Sequence, residues 1–301
     1  RIPAACCGLV GLKVSQGRIT SAPFRDETNL GVEHVVTRSV RDCAALLDAT
    51  QGPGVGDRVI APSPIRPYVE EVGAPTGKLR IGFLDHRPLA GTIDDECAEG
   101  VRLVAKQLEQ LGHHVEPAWP KALEDESFPP RFTAIWGTNM AVACETTANM
   151  LGREVNEDDF ELVNWTMAQY AQKTSAAKYA AAILATSLYR RAVAQWWADG
   201  WDILLTPTAG RVPLKVGQFA NDKSAPMHPM KVAADFIPFT AAFNTSGQPA
   251  ISLPLHWTSQ GVPIGIQLVG AYGREDLLLR LAAQLEVAMP WAHRRPSFNS
   301  L

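Results

Sequence analysis

Strong charge of either sign is missing from this sequence. Its 28 Lys and Arg against 31 Asp and Glu leave a formal charge of −3. That removes the electrostatic reason to expect a nucleic acid or an anionic membrane surface as partner. No apolar run approaches the roughly 20 residues that a bilayer span needs, so an integral membrane helix is not expected. The first residues also lack the basic stretch and long apolar segment of a signal peptide. Cysteine is scarce: Cys6, Cys7, Cys43, Cys97 and Cys144 make an odd set with no CxxC pair. A disulfide framework and a thiolate zinc site are therefore disfavoured, and the reduced thiols of a cytoplasmic protein are expected. There is no G-x-S-x-G elbow, phosphate loop or dinucleotide fingerprint. Gly52-Pro53-Gly54-Val55-Gly56 is dense in glycine, but it follows a helix rather than a strand, the wrong context for phosphate. Neither a metal nor an organic cofactor is implied.

What is present is an ordinary globular composition, 46% hydrophobic and 20% charged, with alternating strand and helix patterns. Glycines 8, 11 and 17 mark close backbone approach and tight turns near a site. Ser39 to Thr50 reads as a helix capped by Ser39, with Asp42 in its first turn. Residues 51–77, rich in Gly and Pro, read as a long surface loop. Leu79–Leu84, a helix from Asp94 to Leu111 with Val101, Val104, Ala105, Leu108 and Leu111 on one stripe, and His113–Glu116 predict a βαβ unit with parallel strands. Phe128 to Leu151 reads as one long helix, and 160–200 as two more. Trp201–Thr208 is a buried strand and 209–230 a second Pro-rich loop. Phe236–Phe243 is left open between helical and irregular. Ala250–Leu255 and Pro263–Gly270 pair through a loop at Gly261, and Arg274–Met289 is a final amphipathic helix. No repeat, low-complexity tract or linker interrupts this series, which predicts one α/β domain.

Residue chemistry alone yields no complete active site. His113-His114 has no partner at metal-ligand spacing. Cys6-Cys7 has no base or electropositive neighbour in sequence, which favours buried structural thiols. Trp196, Trp197 and Trp201 are expected as packing at a helix end, and Arg294-Arg295 as a solvated pair.

The first twenty residues add a resemblance. Arg1-Ile2-Pro3-Ala4, Cys7-Gly8-Leu9-Val10-Gly11-Leu12-Lys13 and Gly17-Arg18-Ile19 resemble the amidase signature family. In that family a Gly- and Ser-rich segment ends in Gly-Gly-Ser-Ile/Val-Arg-x-Pro and runs on through Cys-Gly and Gly-Leu-Lys-Pro. Further matches follow in register: Ser39-Val40-Arg41-Asp42, Trp201-Asp202 to Thr206-Pro207-Thr208, Phe243-Asn244, Gly247-Gln248-Pro249-Ala250 and Gly261-x-Pro263-Ile264-Gly265-x-Gln267. The run Ala271-Tyr272-Gly273-Arg274-Glu275-Asp276 and the pair Pro290-Trp291 are similar to a branch of the family that cleaves amides of ω-amino acids. Where the family has Gly-Leu-Lys-Pro, this chain has Gly11-Leu12-Lys13-Val14.

The resemblance implies an α/β amidase signature fold, a mixed central β-sheet covered by helices, here lacking its N-terminal part. Residues 1–301 then form the C-terminal portion of a single amidase domain. It also implies a Ser, a second Ser in a cis peptide and a Lys as the catalytic groups. The nucleophilic Ser is expected two residues before Arg1 and the other two further upstream, so no catalytic residue is assigned within the chain. Lys13 matches the motif lysine, not the catalytic one. Arg1 is expected to hold loop shape. Trp136, Asn139, Phe243 and Asn244 are the candidate substrate-binding residues, with helix packing the alternative for Trp136 and Asn139, and a structural backbone role favoured for Asn244. Family members that transfer ammonia to aminoacyl-tRNA carry an Asp where this chain has Ile237, which argues for a neutral or apolar small-molecule amide. The implied activity is hydrolysis of linear or cyclic amides. A general aryl or aliphatic acylamidase and a non-catalytic binding or assembly fragment are the alternatives. Homodimerisation is left open.

Overall fold

The computed structural model describes residues 1–22 and 30–295. A short helix α1 (Ile2–Cys7) leads into strand β1 (Val10–Lys13), a two-residue strand β2 (Val36–Thr37) and helix α2 (Val40–Thr50). Strand β3 (Arg80–Phe83), helix α3 (Asp95–Gln110) and strand β4 (His114–Pro117) follow. Next come α4 (Phe128–Leu151), α5 (Leu162–Ala171), α6 (Ala176–Ala198) and strand β5 (Ile203–Pro207). The chain ends its described part with α7 (His228–Phe236), α8 (Ala241–Ser246), β6 (Ala250–Trp257), β7 (Pro263–Gly270) and α9 (Glu275–Ala288).

Local chemistry explains the boundaries. Ser39 accepts the Asp42 N–H and starts α2, which removes one orphan donor at the helix start. Positions Val101, Val104, Ala105 and Leu108 of α3 are all buried, as their spacing predicts. Gly152 closes α4 in the left-handed conformation that glycine adopts without strain.

The strands form one seven-stranded sheet in the order β2-β1-β6-β7-β5-β3-β4. β3 lies parallel to both β4 and β5, so the βαβ prediction holds. From β5 outward the pairs β5–β7, β7–β6, β6–β1 and β1–β2 are antiparallel. Alternation along β5 sends Ile203 and Leu205 to one face and Leu204 to the other. The first face joins α2, α3 and α9 in the larger core cluster. The second packs under α6, with Tyr189, Val193, Trp196, Trp197, Phe239 and Phe243. The tryptophans are packing residues: Trp196 stacks on Trp201 at 4.8 Å and 7°, and Arg80 covers the outer face of Trp201.

Two expectations need correction. The first residues form a helix as well as turns, because Pro3 sits at the helix start, where its missing N–H costs nothing. The 51–77 segment is not simply a surface loop, since Tyr68 and Glu71 are both buried. Glu71 accepts from Arg66 Nε and Nη2 at 2.7 Å and from Arg280 Nε at 2.5 Å, tying the loop to α9. Asp48 on α2 holds the same turn by accepting the Tyr68 and Val69 N–H groups.

The Arg66 hydrogen bonds, aided by Arg280 against the opposing effect of burial, pull the Glu71 carboxyl from its usual 4.5 down to about 2. Its folded-state pKa thus lies below the unfolded one. The stability it contributes is complete above about pH 4.5 and is lost as pH falls toward 2. Glu71→Gln is expected to cost about 3 kcal/mol at neutral pH by stranding the guanidinium groups. Urea unfolding at pH 7 and pH 3 checks this: the gap between wild type and variant narrows at the lower pH.

Candidate functional site

Small residues seat α1 on the sheet. A Cβ at Gly11 would stand 2.6 Å from Ala4 Cβ, and one at Gly265 would stand 2.4 Å from Ala5 Cβ. Glycine at both points therefore lets the helix lie directly on β1 and β7. Beneath it runs a buried polar strip, in which Thr208 and Ser252 share a hydrogen bond of 2.7 Å. Gln267 Nε2 donates to Thr206 Oγ1 at 2.9 Å.

Arg1 joins this strip to α8. Its Nη1 donates to Gln267 Oε1 at 2.8 Å, and its Nη2 donates to the Thr240 carbonyl at 3.1 Å and to Asn244 Oδ1. Asn244 Nδ2 in turn donates to the Leu30 carbonyl at 2.6 Å. Burial pulls the Arg1 guanidinium down to about 9, still protonated at neutral pH. The expected loop-holding role of Arg1 matches these bonds, as does the structural role favoured for Asn244.

Arg1 and Asn244 border a cavity of about 1510 Å³. Its other walls come from α4, from α7 through α8, from the 30–36 segment and from Arg87, Pro88 and Leu89. Phe128, Phe132 and Trp136 repeat every four residues along α4, which places them on one face. Phe132 and Trp136 meet edge to face at 5.6 Å, and Phe128 stacks on Tyr189 at 4.7 Å. Asn139 continues the same wall, and Ile237 adds an apolar lining position.

The basic residues lining the cavity are Arg1, Lys13, His34 and Arg87, and no Asp or Glu lines it among the described residues. Lys13 is buried and donates to the neighbouring Val14 carbonyl at 2.7 Å. Burial, with Arg1 close by, pushes its ammonium well below the usual 10.5, against a smaller opposing effect of Glu275. Burial also lowers the His34 imidazole, whose Nδ1 has no hydrogen-bond partner. Among the described residues the cavity therefore presents donors and neutral groups and no anion that could hold an ammonium group.

All four candidate substrate-binding residues, Trp136, Asn139, Phe243 and Asn244, border this one cavity. Phe243 is almost wholly buried in the core behind it. Phe128, Phe132, Tyr189, Arg87 and the cavity-facing Lys13 escaped the sequence reading. The four-residue aromatic period of α4 was a signal that could have found the first two. The paired cysteines behave differently from expectation: Cys7 is exposed and Cys6 half-buried, while Cys43, Cys97 and Cys144 are buried. Burial raises the Cys6 thiol, which opposes thiolate chemistry. His113 is buried, accepts the Leu79 N–H at 3.2 Å and contacts Gln284, whereas His114 is exposed beside Glu116. Among the described residues no cluster of three His, Cys, Asp or Glu could hold a metal ion. No helix there is long and apolar enough to cross a membrane.

Comparison with known proteins gives this geometry a context. The family model for amidases matches residues 1–279. The chain is 42% identical over 306 residues to the 6-aminohexanoate-cyclic-dimer hydrolase of Paenarthrobacter ureafaciens, covering 98% of this chain and 62% of that protein. The enzyme of the same name from Pseudomonas sp. strain NK87 gives the same identity and coverage. A solved structure of a 6-aminohexanoate cyclic dimer hydrolase with bound substrate superposes with a TM-score of 0.93 at 40% identity, covering 99% of this chain and 64% of that one. The chain thus spans less than two thirds of the length of these relatives.

Asn244→Ala removes an acceptor from Arg1 and the donor to Leu30. The expected loss is about 2 kcal/mol, the scale of one hydrogen bond to a charged group. Denaturant unfolding measures it, and an unchanged midpoint would contradict the bridging role.

Proposed function

Because the chain belongs to the amidase signature family, we propose that the protein containing it hydrolyses linear or cyclic amides of ω-amino acids, such as the 6-aminohexanoate cyclic dimer. In this reading residues 1–301 are the C-terminal portion of a single amidase domain and supply the acyl-binding walls. The nucleophilic serine stands two residues before Arg1, and the cis serine and lysine that activate it lie further upstream. The lysine, through the cis serine, takes the proton from the nucleophile. The serine attacks the amide carbonyl, backbone N–H groups hold the oxyanion, and water then hydrolyses the acyl-enzyme.

The observation that carries the proposal is the character of the cavity. Trp136 and its aromatic neighbours offer a long apolar wall, Asn139 a polar contact, and no carboxylate lines the space among the described residues. Such a wall suits a methylene chain with a neutral amide in it. Ile237 replaces the acid that an α-ammonium group would need. The relatives named for cleavage of a cyclic amide share 42% of aligned residues with this chain. The same aromatic face supports a second reading, an aryl acylamidase with the same chemistry.

The test is turnover of cyclic and linear 6-aminohexanoate dimers and of an aryl anilide by the full-length protein. The dimers are expected to be the better substrates. Faster cleavage of the anilide would favour the second reading, and no turnover of any amide would sink both. Trp136→Ala is expected to raise KM for the cyclic dimer roughly tenfold, the value of lost apolar burial against one large side chain.

A further inference from the structure

One charged group on the cavity wall has no task in amide cleavage as proposed. Arg87 lies in the loop between β3 and α3, and its side chain is 15% exposed. Its Nη1 donates to Asp235 Oδ1 at 2.6 Å, and Asp235, near the end of α7, is 59% exposed. The guanidinium Nε is buried and has no hydrogen-bond partner. An unsatisfied donor on a buried cation is costly, and in a native fold it calls for a partner.

The loop is shaped around this group. A Cβ at Gly91 would stand 2.7 Å from Arg87 Nη1 and 3.2 Å from Cζ, and Gly91 itself has a φ of +118°. Glycine at that position leaves the guanidinium its room. The surrounding charge points the same way: Arg1, Lys13, His34 and Arg87 line the cavity with no Asp or Glu among the described residues.

We infer that Arg87 is a specificity-determining residue whose guanidinium, at the cavity wall, takes the free carboxylate of a linear amide substrate, while Nη1 keeps Asp235. A planar guanidinium is matched to a carboxylate in a way that a lysine ammonium is not. A cyclic amide has no carboxylate and gains nothing from it. The inference rests on the proposed amide hydrolysis, because it names the end of the substrate that is recognised.

The experiment compares wild type, Arg87→Gln and Gly91→Ala in the full-length protein on linear and cyclic 6-aminohexanoate dimers. Arg87→Gln is expected to lower the linear-to-cyclic ratio of kcat/KM about tenfold, the scale of a lost charge-assisted contact. Gly91→Ala, which displaces the same guanidinium, moves the ratio in the same direction. Arg87→Lys keeps the charge but not the planar group and falls between. An unchanged ratio in Arg87→Gln overturns the inference.

Calorimetry with hexanoate and hexanol separates this failure from failure of the amide reading. If wild type cleaves neither dimer, the amide reading falls. Hexanoate binding about tenfold weaker in Arg87→Gln, with hexanol affinity equal, still supports the carboxylate site. Equal hexanoate affinity in both proteins removes it.

Discussion

A single guanidinium fixes the wall of the cavity. Arg1 reaches β7 through Gln267, the turn before α8 through the Thr240 carbonyl, and α8 itself through Asn244. The chain of bonds continues to Thr206 on β5 at one end and to Leu30 at the other. Each of these partners is neutral, so the charge of Arg1 is met by dipoles rather than by an ion pair. Such an arrangement holds a backbone in place without adding an anion to the cavity wall. The close seating of α1 on Gly11 and Gly265 is what brings Arg1 to that point.

The electrostatic character of the cavity follows. Burial lowers both Lys13 and His34, so two of the basic groups lose part of their tendency to carry charge. Arg1 spends its donors on the scaffold. Arg87 keeps its buried Nε without a hydrogen-bond partner. Against these stands a long aromatic face on α4, half open because few residues of that helix are buried. Apolar length and few charged groups suit the methylene-rich amide of the proposed reaction.

Much of the fold was legible because the signals were local. Ser39 with Asp42, the stripe from Val101 to Leu108, and Gly261 between two apolar runs each specify an element through nearby chemistry. The βαβ unit followed from chain order. Helix α1 is not legible because six residues give too short a period to read, and its seating depends on packing against Gly11 and the distant Gly265. The anchoring of the 51–77 segment was missed for a similar reason: Glu71 finds Arg280 across 209 positions. At the site, Trp136, Asn139, Phe243 and Asn244 were named from family resemblance, and the fold sets all of them around one cavity. Arg87 carries no motif. Its setting depends on a loop conformation and on a pairing with Asp235 across 148 positions, neither of which is written in any short stretch of sequence.

In the proposed hydrolysis the amide enters the space between the α4 aromatic face and the Arg1–Asn244 wall. The most direct test is a crystal structure of the full-length protein with a non-hydrolysable analogue of the 6-aminohexanoate dimer. The methylene chain is predicted to lie along Phe132 and Trp136, with its amide toward Asn139 and the α8 side. Density for the analogue outside this cavity, with the aromatic face empty, would contradict the account.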